Sequence, residues 1–317
     1  MLEKKGGLMR ELSLVIPGST SNLGAAFDTV GLALGIYARM TFKMLDENDP
    51  SVPLISYSGA IAEHSSADAT TNLTYRMLVR LWENDKKLLQ RIRIKVDSDI
   101  PLGCGLGSSA AAIAGALWAA NFFRDRMPTQ SELLNEAARM EGHSEMLAAC
   151  LLGGFVVCAQ GSNGKFMARS HSWPERWKLL LVVPTHRHDT AHARALLPKK
   201  VPYEDAIFNV QHAATLVSAV VSQDENALKE ALHDRLHEQY RTSYVPQLLE
   251  LQKVLLREPA LGCVLSGAGP SVLVIVDEKH RHAIHSLLNQ WEEAQSQRHT
   301  ILDLACDTQG IRELSVV

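Results

Sequence analysis

Gly103-Cys104-Gly105-Leu106-Gly107-Ser108-Ser109-Ala110 sets alternate glycines and two hydroxyls directly ahead of the small-residue run Ala110 to Trp118. Glycine lets a backbone approach an anion closely. The first turn of a helix adds N–H groups without intrahelical partners, at the positive end of its dipole. Such a loop suits phosphate. On these residues two phosphate chemistries stay open. Gly105-x-Gly107-x-x-Ala110 has the spacing of a dinucleotide fingerprint, which needs a parallel strand-helix-strand unit and an acidic residue ~20 positions on. Here the region near Glu132 reads as helix. A triphosphate P-loop needs Gly-Lys-Ser/Thr, but Gly164-Lys165 is followed by Phe166, so a triphosphate would require another kind of loop.

Two further segments carry the same chemistry. Pro17-Gly18-Ser19-Thr20-Ser21-Asn22-Leu23-Gly24-Ala25-Ala26-Phe27-Asp28 brings short polar side chains and a carboxylate to the end of a strand, where they could orient a small polar molecule or simply form a turn. Ser266-Gly267-Ala268-Gly269-Pro270-Ser271 lies between two apolar runs, as a hairpin connection would. If the three loops converge, a binding site is the stronger reading.

The elements that must position them follow from periodicity. Leu12, Leu14 and Ile16 alternate with Ser13 and Val15, which predicts a strand ending in a turn over Pro17 to Gly24. Arg91-Ile92-Arg93-Ile94-Lys95-Val96 alternates charge with apolar groups, the pattern of a sheet with one solvated face, which favours antiparallel pairing. Ala110 to Trp118 predicts a buried helix. Thr129 with Glu132 is a capping box that opens a helix through Glu141. Beyond a Gly/Ser/Asn-rich stretch at Gln160 to Lys165, Leu179 to Val183 predicts a buried strand. Helical stretches follow from Tyr203 to Val221 and on through Arg257, then strands on both sides of Ser266 to Ser271, then a helix at His280 to Gln290. Strands and helices interleave without a strict period, so the expected class is α+β. A boundary near residue 170 divides the chain into an N-terminal domain over 1–170 and a C-terminal domain over 171–317.

Composition removes several classes of function. Lys+Arg 32 against Asp+Glu 35 leaves a net charge of -3, without the basic excess that phosphate-backbone binding needs, so nucleic acid is not an expected partner. The apolar stretch Ala110 to Phe123 is interrupted by Asn121 and falls short of the roughly 20 residues a membrane span requires. Met1 to Arg10 holds charges and glycine but no apolar core of a secretory leader. Cys104, Cys150, Cys158, Cys263 and Cys306 are odd in number and never in a C-x-x-C spacing, which fits a reducing compartment and a cytoplasmic location.

Taken together, Pro-x-Ser-x-Ser-Asn-Leu-Gly from Pro17, Pro-x-Gly-x-Gly-Leu-Gly-Ser-Ser-Ala from Pro101 and Ser-Gly-Ala-Gly-Pro-Ser from Ser266 resemble, in order and spacing, the galactokinase, homoserine kinase, mevalonate kinase and phosphomevalonate kinase (GHMP) superfamily. The opening segment with Phe27-Asp28 resembles homoserine kinases most, and the likeness runs from Leu12 to about Val276.

The resemblance implies a ribosomal-protein-S5-like half and a ferredoxin-like half with ATP and Mg²⁺ between them. It also implies phosphorylation of a small-molecule hydroxyl, that of L-homoserine, with the oligomeric state left open between monomer and homodimer. By the same likeness Gly103, Gly105, Leu106, Gly107, Ser108, Ser109 and Ala110 hold phosphates, with Gly267 and Gly269 also on the nucleotide. Asn72 meets adenine, and Ser109 and Glu141 serve Mg²⁺. Asn22, Asp28, Arg194 and Arg241 hold the acceptor, with Glu145 near its hydroxyl.

The chain departs from the superfamily in two places. Glu141-Gly142-His143-Ser144-Glu145-Met146 stands where the superfamily has Glu-Gly-His-Pro-Asp-Asn, and Met146 removes an amide. Gly24-Ala25-Ala26-Phe27-Asp28 replaces Gly-Pro-Gly-Phe-Asp, a change expected to stiffen or displace that loop. Another small hydroxy acid or polyol as acceptor, or nucleotide binding without transfer, are the alternatives.

Overall fold

In the computed structural model, residues 10–64, 66, 68–187 and 190–314 are described. The reading of a missing leader falls on residues 1–9, outside them. The chain opens with strands β1 (Arg10–Ser21), β2 (Val30–Met44) and β3 (Ile55–Ser58), then helices α1 (Leu73–Leu81) and α2 (Lys86–Arg91), then β4 (Ile92–Ser98). Helices α3 (Ser108–Phe122), α4 (Gln130–Glu141) and α5 (Glu145–Leu152) come next, with strands β5 (Phe155–Gln160) and β6 (Phe166–His171) after them. These strands form one sheet in the order β11-β1-β2-β4-β3, with β5 on the first half of β2 and β6 on β5. Its last strand, β11 (Arg312–Glu313), returns from the far end of the sequence to pair with β1.

The second sheet is built from β7 (Trp177–Pro184), β8 (Ala260–Leu265), β9 (Val272–Asp277) and β10 (His299–Leu304), in the order β10-β7-β9-β8 with every pair antiparallel. Counted in chain order this is 4-1-3-2. With helices between its first two and its last two strands, it is the ferredoxin-like arrangement. Between β7 and β8 run α6 (Thr190–Ala195), α7 (Tyr203–Ser222), α8 (Glu225–Ala231), α9 (Glu238–Arg241) and α10 (Pro246–Leu255), and α11 (Arg281–Glu293) precedes β10. Alternation along β7 covers both faces. Leu179, Leu181 and Val183 join the core that also holds β1 and α3, whereas Leu180 and Val182 join a second core under α10 and α11. The class is α+β.

The capping box at Thr129 and Glu132 is formed in both directions: the Glu132 N–H donates to Thr129 Oγ1 at 3.2 Å and the Thr129 N–H to Glu132 Oε2 at 2.8 Å. Helix α3 has no distinct polar face, buries nine of its fifteen residues between Ala110 and Ala120, as its alanines imply, and runs on to Phe122. Two expectations need correction. The first strand does not stop at Pro17. A register shift between Pro17 and Gly18 absorbs the missing proline N–H, and pairing with β2 resumes from Gly18↔Leu34 to Ser21↔Gly31. Strand β4 is antiparallel to β2, as expected, but parallel to the four-residue β3, too short to leave a period in the sequence. Among the described residues no helix is long and apolar enough to cross a membrane.

Candidate active site

The three polar loops converge. The Ser19 N–H donates to Leu106 O at 3.0 Å, Ser266 Oγ donates to Gly105 O at 2.8 Å, and Thr20 and Ser266 share a hydroxyl contact of 2.8 Å. Asn22 Nδ2 reaches Gly267 O at 2.9 Å, and the Gly267 N–H returns to Ser21 O at 3.2 Å. This closeness explains two glycines. A Cβ at Gly105 would strike Ser266 O and one at Gly107 would strike Ser19 Oγ, and both residues have left-handed φ of 72° and 77°. Gly107 is the N-cap of α3 and offers no side chain to its first turn, whose residues Ser108, Ser109 and Ala110 line the cleft.

The cleft, of about 280 Å³, is lined at this end by Gly103, Gly105, Gly107, Ser108, Ser109 and Ala110. At its mouth Ser109 Oγ donates to Glu141 Oε1 at 2.7 Å, so a hydroxyl and a carboxylate from α3 and the end of α4 meet beside the loop. That oxygen donor set fits a hard cation which keeps water and phosphate oxygens as its other ligands.

At the opposite end stand a carboxylate and two guanidiniums. Arg194 on α6 forms a fork to Asp28, both N–H···O distances being 2.8 Å, and this hydrogen bonding holds the guanidinium above its ordinary pKa. Arg241 on α9 is buried. Desolvation, helped by the like charge of Arg194, pulls it down to about 10, still a cation at neutral pH. Phe27 lies between them, with the Arg194 and Arg241 guanidinium carbons 5.5 and 5.6 Å from its ring centre. Glu145, at the first turn of α5, is 3% exposed. Burial pushes its carboxyl above the ordinary carboxylate range, against the pull of His143, whose Nδ1 is 3.6 Å from Oε1.

Two regions of known family account for the chain on either side of this cleft. Residues 72–154 match the GHMP kinases N terminal domain and residues 216–294 the GHMP kinases C terminal domain. A homoserine kinase of Solibacter usitatus is 38% identical over 83% of this chain and 84% of its own length. The chain belongs to the homoserine kinase family of the GHMP kinases. Another member, from Synechocystis, is 34% identical over 95% of this chain and 98% of its own. The crystal structure of homoserine kinase from Cytophaga hutchinsonii superimposes with a TM-score of 0.82 at 23% identity, over 97% of this chain and 98% of that one, which shows a common fold. The same fold carries another activity in the mevalonate diphosphate decarboxylase of Enterococcus faecalis, with a TM-score of 0.69 at 14% identity.

Within this homoserine kinase family member, Asn22, Asp28, Glu141, Glu145, Arg194 and Arg241 line the one cleft together with the glycine loop. Leu106 does not: its side chain is buried behind the loop, and only its carbonyl is used, toward Ser19. Gly267 and Gly269 support the site from behind, and the residue between them, Ala268, reaches the cleft. Asn72 lies apart, in an adjoining cavity of about 370 Å³ that shares Ser108 and Ser109 as walls. Its amide is committed there, accepting from the Tyr75 N–H as the N-cap of α1 and donating to the Tyr57 hydroxyl. Phe27 and Met146, marked in the sequence by likeness and by departure, also line the cleft, as do His143 and Thr190, to which the sequence assigns no role. The Ala25-Ala26 pair is buried, with Ala26 N–H bonded to Asn22 O at 3.1 Å, so the altered loop is a closed turn.

Proposed function

We propose that this chain transfers the γ-phosphoryl group of ATP to the hydroxyl of L-homoserine, giving O-phospho-L-homoserine for threonine biosynthesis, as a cytoplasmic enzyme. The observation that supports the reading is that the glycine loop and the α3 N-terminus line the same cleft as Asp28, Arg194 and Arg241, so that groups suited to phosphate and groups suited to a zwitterion share one space. An amino acid with a side-chain hydroxyl is the acceptor such a cleft suits: ammonium on Asp28, carboxylate on the planar guanidiniums, hydroxyl toward the phosphates.

Backbone N–H groups from Gly103 to Ala110 hold the phosphates of ATP, and Ser108 adds a hydroxyl. Ser109 and Glu141 are the residues that would hold Mg²⁺, which when bound offsets charge on the phosphate oxygens. Asn72 and Tyr57 wall the adjoining cavity, which has room for the base. The Asp28 and Arg194 side chains are 35% and 42% exposed, so their ion pair is weak and gives way readily to the two charges of the acceptor. Glu145, buried and raised in pKa, is the group available to take the hydroxyl proton as transfer proceeds, but most of the acceleration comes from alignment and electrostatic stabilisation. We place the division between the two halves near residue 170.

One observation favours a second reading, a different small hydroxy compound as acceptor. Met146 stands where the superfamily has an amide, and its methyl packs against Gly267 at the cleft wall. An assay of ADP release with Mg·ATP and L-homoserine, other hydroxy acids, amino alcohols and polyols separates the two. Release confined to L-homoserine supports the first, and release with another acceptor alone selects the second.

A further inference from the structure

The loop from Asn22 to Asp28 is held in an unusual backbone. Asn22, Leu23, Gly24 and Asp28 have φ of 75°, 42°, 71° and 53°, a left-handed run that persists only where surrounding contacts determine it. Some are local, such as the Asp28 N–H on Asn22 Oδ1 at 3.0 Å and the Asn22 N–H on Val30 O at 2.8 Å, and the rest come from the C-terminal half. His237, fully buried, shares a hydrogen bond of 2.9 Å between Nε2 and Gly24 O, and its ring stacks on Phe27 at 5.1 Å between centres. Asn209 on α7 donates to Ala25 O at 3.0 Å. Asp234 ties both into one cradle, accepting from Asn209 Nδ2 at 2.7 Å and from the N–H groups of His237 and Glu238 at 2.8 Å each.

The other nitrogen of the imidazole meets Arg241, whose Nη1 is 3.1 Å from His237 Nδ1. A guanidinium can only donate, so Nδ1 is the bare nitrogen and the proton sits on Nε2, directed at Gly24 O. Asp234 Oδ1, at 3.8 Å from Nε2, is too far to compete for it. Burial, with Arg241 adding to it, lowers the pKa of this histidine and keeps the ring neutral.

We propose that His237 is a positioning residue for the acceptor: with one ring nitrogen on the Gly24 carbonyl and the other on Arg241, it sets the loop that carries Asp28 and the second acceptor guanidinium at a fixed distance from each other. Asp28 and Arg241 approach the acceptor from different halves of the chain, and the imidazole is the rigid piece between them. Nothing in this role touches the nucleotide. The inference rests on the acceptor reading above, in which Asp28 and Arg241 hold the substrate.

The test uses the full chain. His237→Asn keeps an acceptor for Arg241 but loses the donor to Gly24, and His237→Gln keeps the donor but loses the acceptor. Each is expected to raise KM for L-homoserine at least tenfold while KM for ATP stays within twofold. Equal changes in both constants, or none in a folded variant, would overturn the assignment. Wild-type protein labelled with ¹⁵N-histidine supplies a readout that needs no variant. Among the thirteen histidines, the imidazole assigned to His237 by sequential resonance assignment should be neutral with its proton on Nε2, and its signals should shift on adding L-homoserine but not on adding Mg·ATP alone. An Nδ1–H form, an imidazolium at neutral pH or indifference to an acceptor that the enzyme turns over would overturn the assignment. If wild-type protein ignores L-homoserine but uses another acceptor, the acceptor reading falls, and the same KM comparison and shift experiment with that compound decide the role of His237.

Discussion

Asp28 and Arg194, 166 positions apart in the chain, face each other across the cleft in a two-pronged ion pair with both distances at 2.8 Å. Among the described residues neither has another charged partner as close, and both line the cleft, where the reading proposed above places the acceptor's two charges. On that reading the ion pair orients both groups until the acceptor's own charges replace it.

Arg194→Lys keeps the charge but loses the planar fork. A charged hydrogen bond contributes about 1.5–3 kcal/mol, so KM for the acceptor should rise on the order of 10- to 100-fold, with KM for ATP nearly unchanged. Initial-rate measurements varying each substrate in turn check this. Equal effects on both constants would remove Arg194 from the acceptor end.

Glu141→Gln removes the negative charge beside Ser109 but leaves an oxygen that can still accept from Ser109 Oγ. Turnover should fall by about 100-fold, the scale of losing one electrostatic group at a transferring phosphoryl, and should recover in part at high Mg²⁺. Because the Ser109 and Glu141 contact is exposed, melting temperature should hardly move. Activity independent of Mg²⁺ concentration in the variant would take Glu141 out of the site.

Gly107→Ala places a Cβ against Ser19 Oγ at a residue with φ of 77°. Left-handed strain and the clash together should cost about 1–3 kcal/mol of stability, and the shifted loop should weaken ATP more than the acceptor. Thermal unfolding and nucleotide titration read the two effects. A variant as stable as wild type that binds ATP normally would contradict the geometry of the α3 N-terminus.

Burial raises the Glu238 carboxyl from 4.5 to about 8, against the hydrogen bond it accepts from the Leu265 N–H. The folded state therefore holds a proton that the unfolded chain has released. Its contribution to stability is complete below pH 4.5 and is lost as pH rises through about 8. Glu238→Gln keeps an acceptor for Leu265 and removes the titration, so between pH 6 and about 9 its melting temperature should fall less than that of wild type. Parallel curves would mean that Glu238 titrates as an ordinary carboxylate.

The glycine loop and the helix start in the cleft wall were legible in the sequence because their information is local: glycines at alternate positions, two hydroxyls and a helix start all fall within Gly103 to Ala110. The capping box and the apolar α3 were legible for the same reason. The meeting of Asp28, Arg194 and Arg241 in one cleft was legible only through resemblance, since folding brings them together and no periodicity joins them. Pro17 read as a strand end because proline lacks a ladder donor, and only the bulge partner on β2 reveals how the strand continues. His237 carries no pattern at all. A single histidine between Asp234 and Arg241 becomes informative once Gly24, Phe27 and Arg241 are seen around it.

The central claim is transfer of phosphate from ATP to the hydroxyl of L-homoserine, and phosphorus NMR of the reaction mixture with Mg²⁺ tests it most directly. The account predicts a phosphomonoester signal coupled to a CH₂ group, growing in step with ADP and absent without L-homoserine. ATP left intact, or consumed to inorganic phosphate with no new ester, would contradict it.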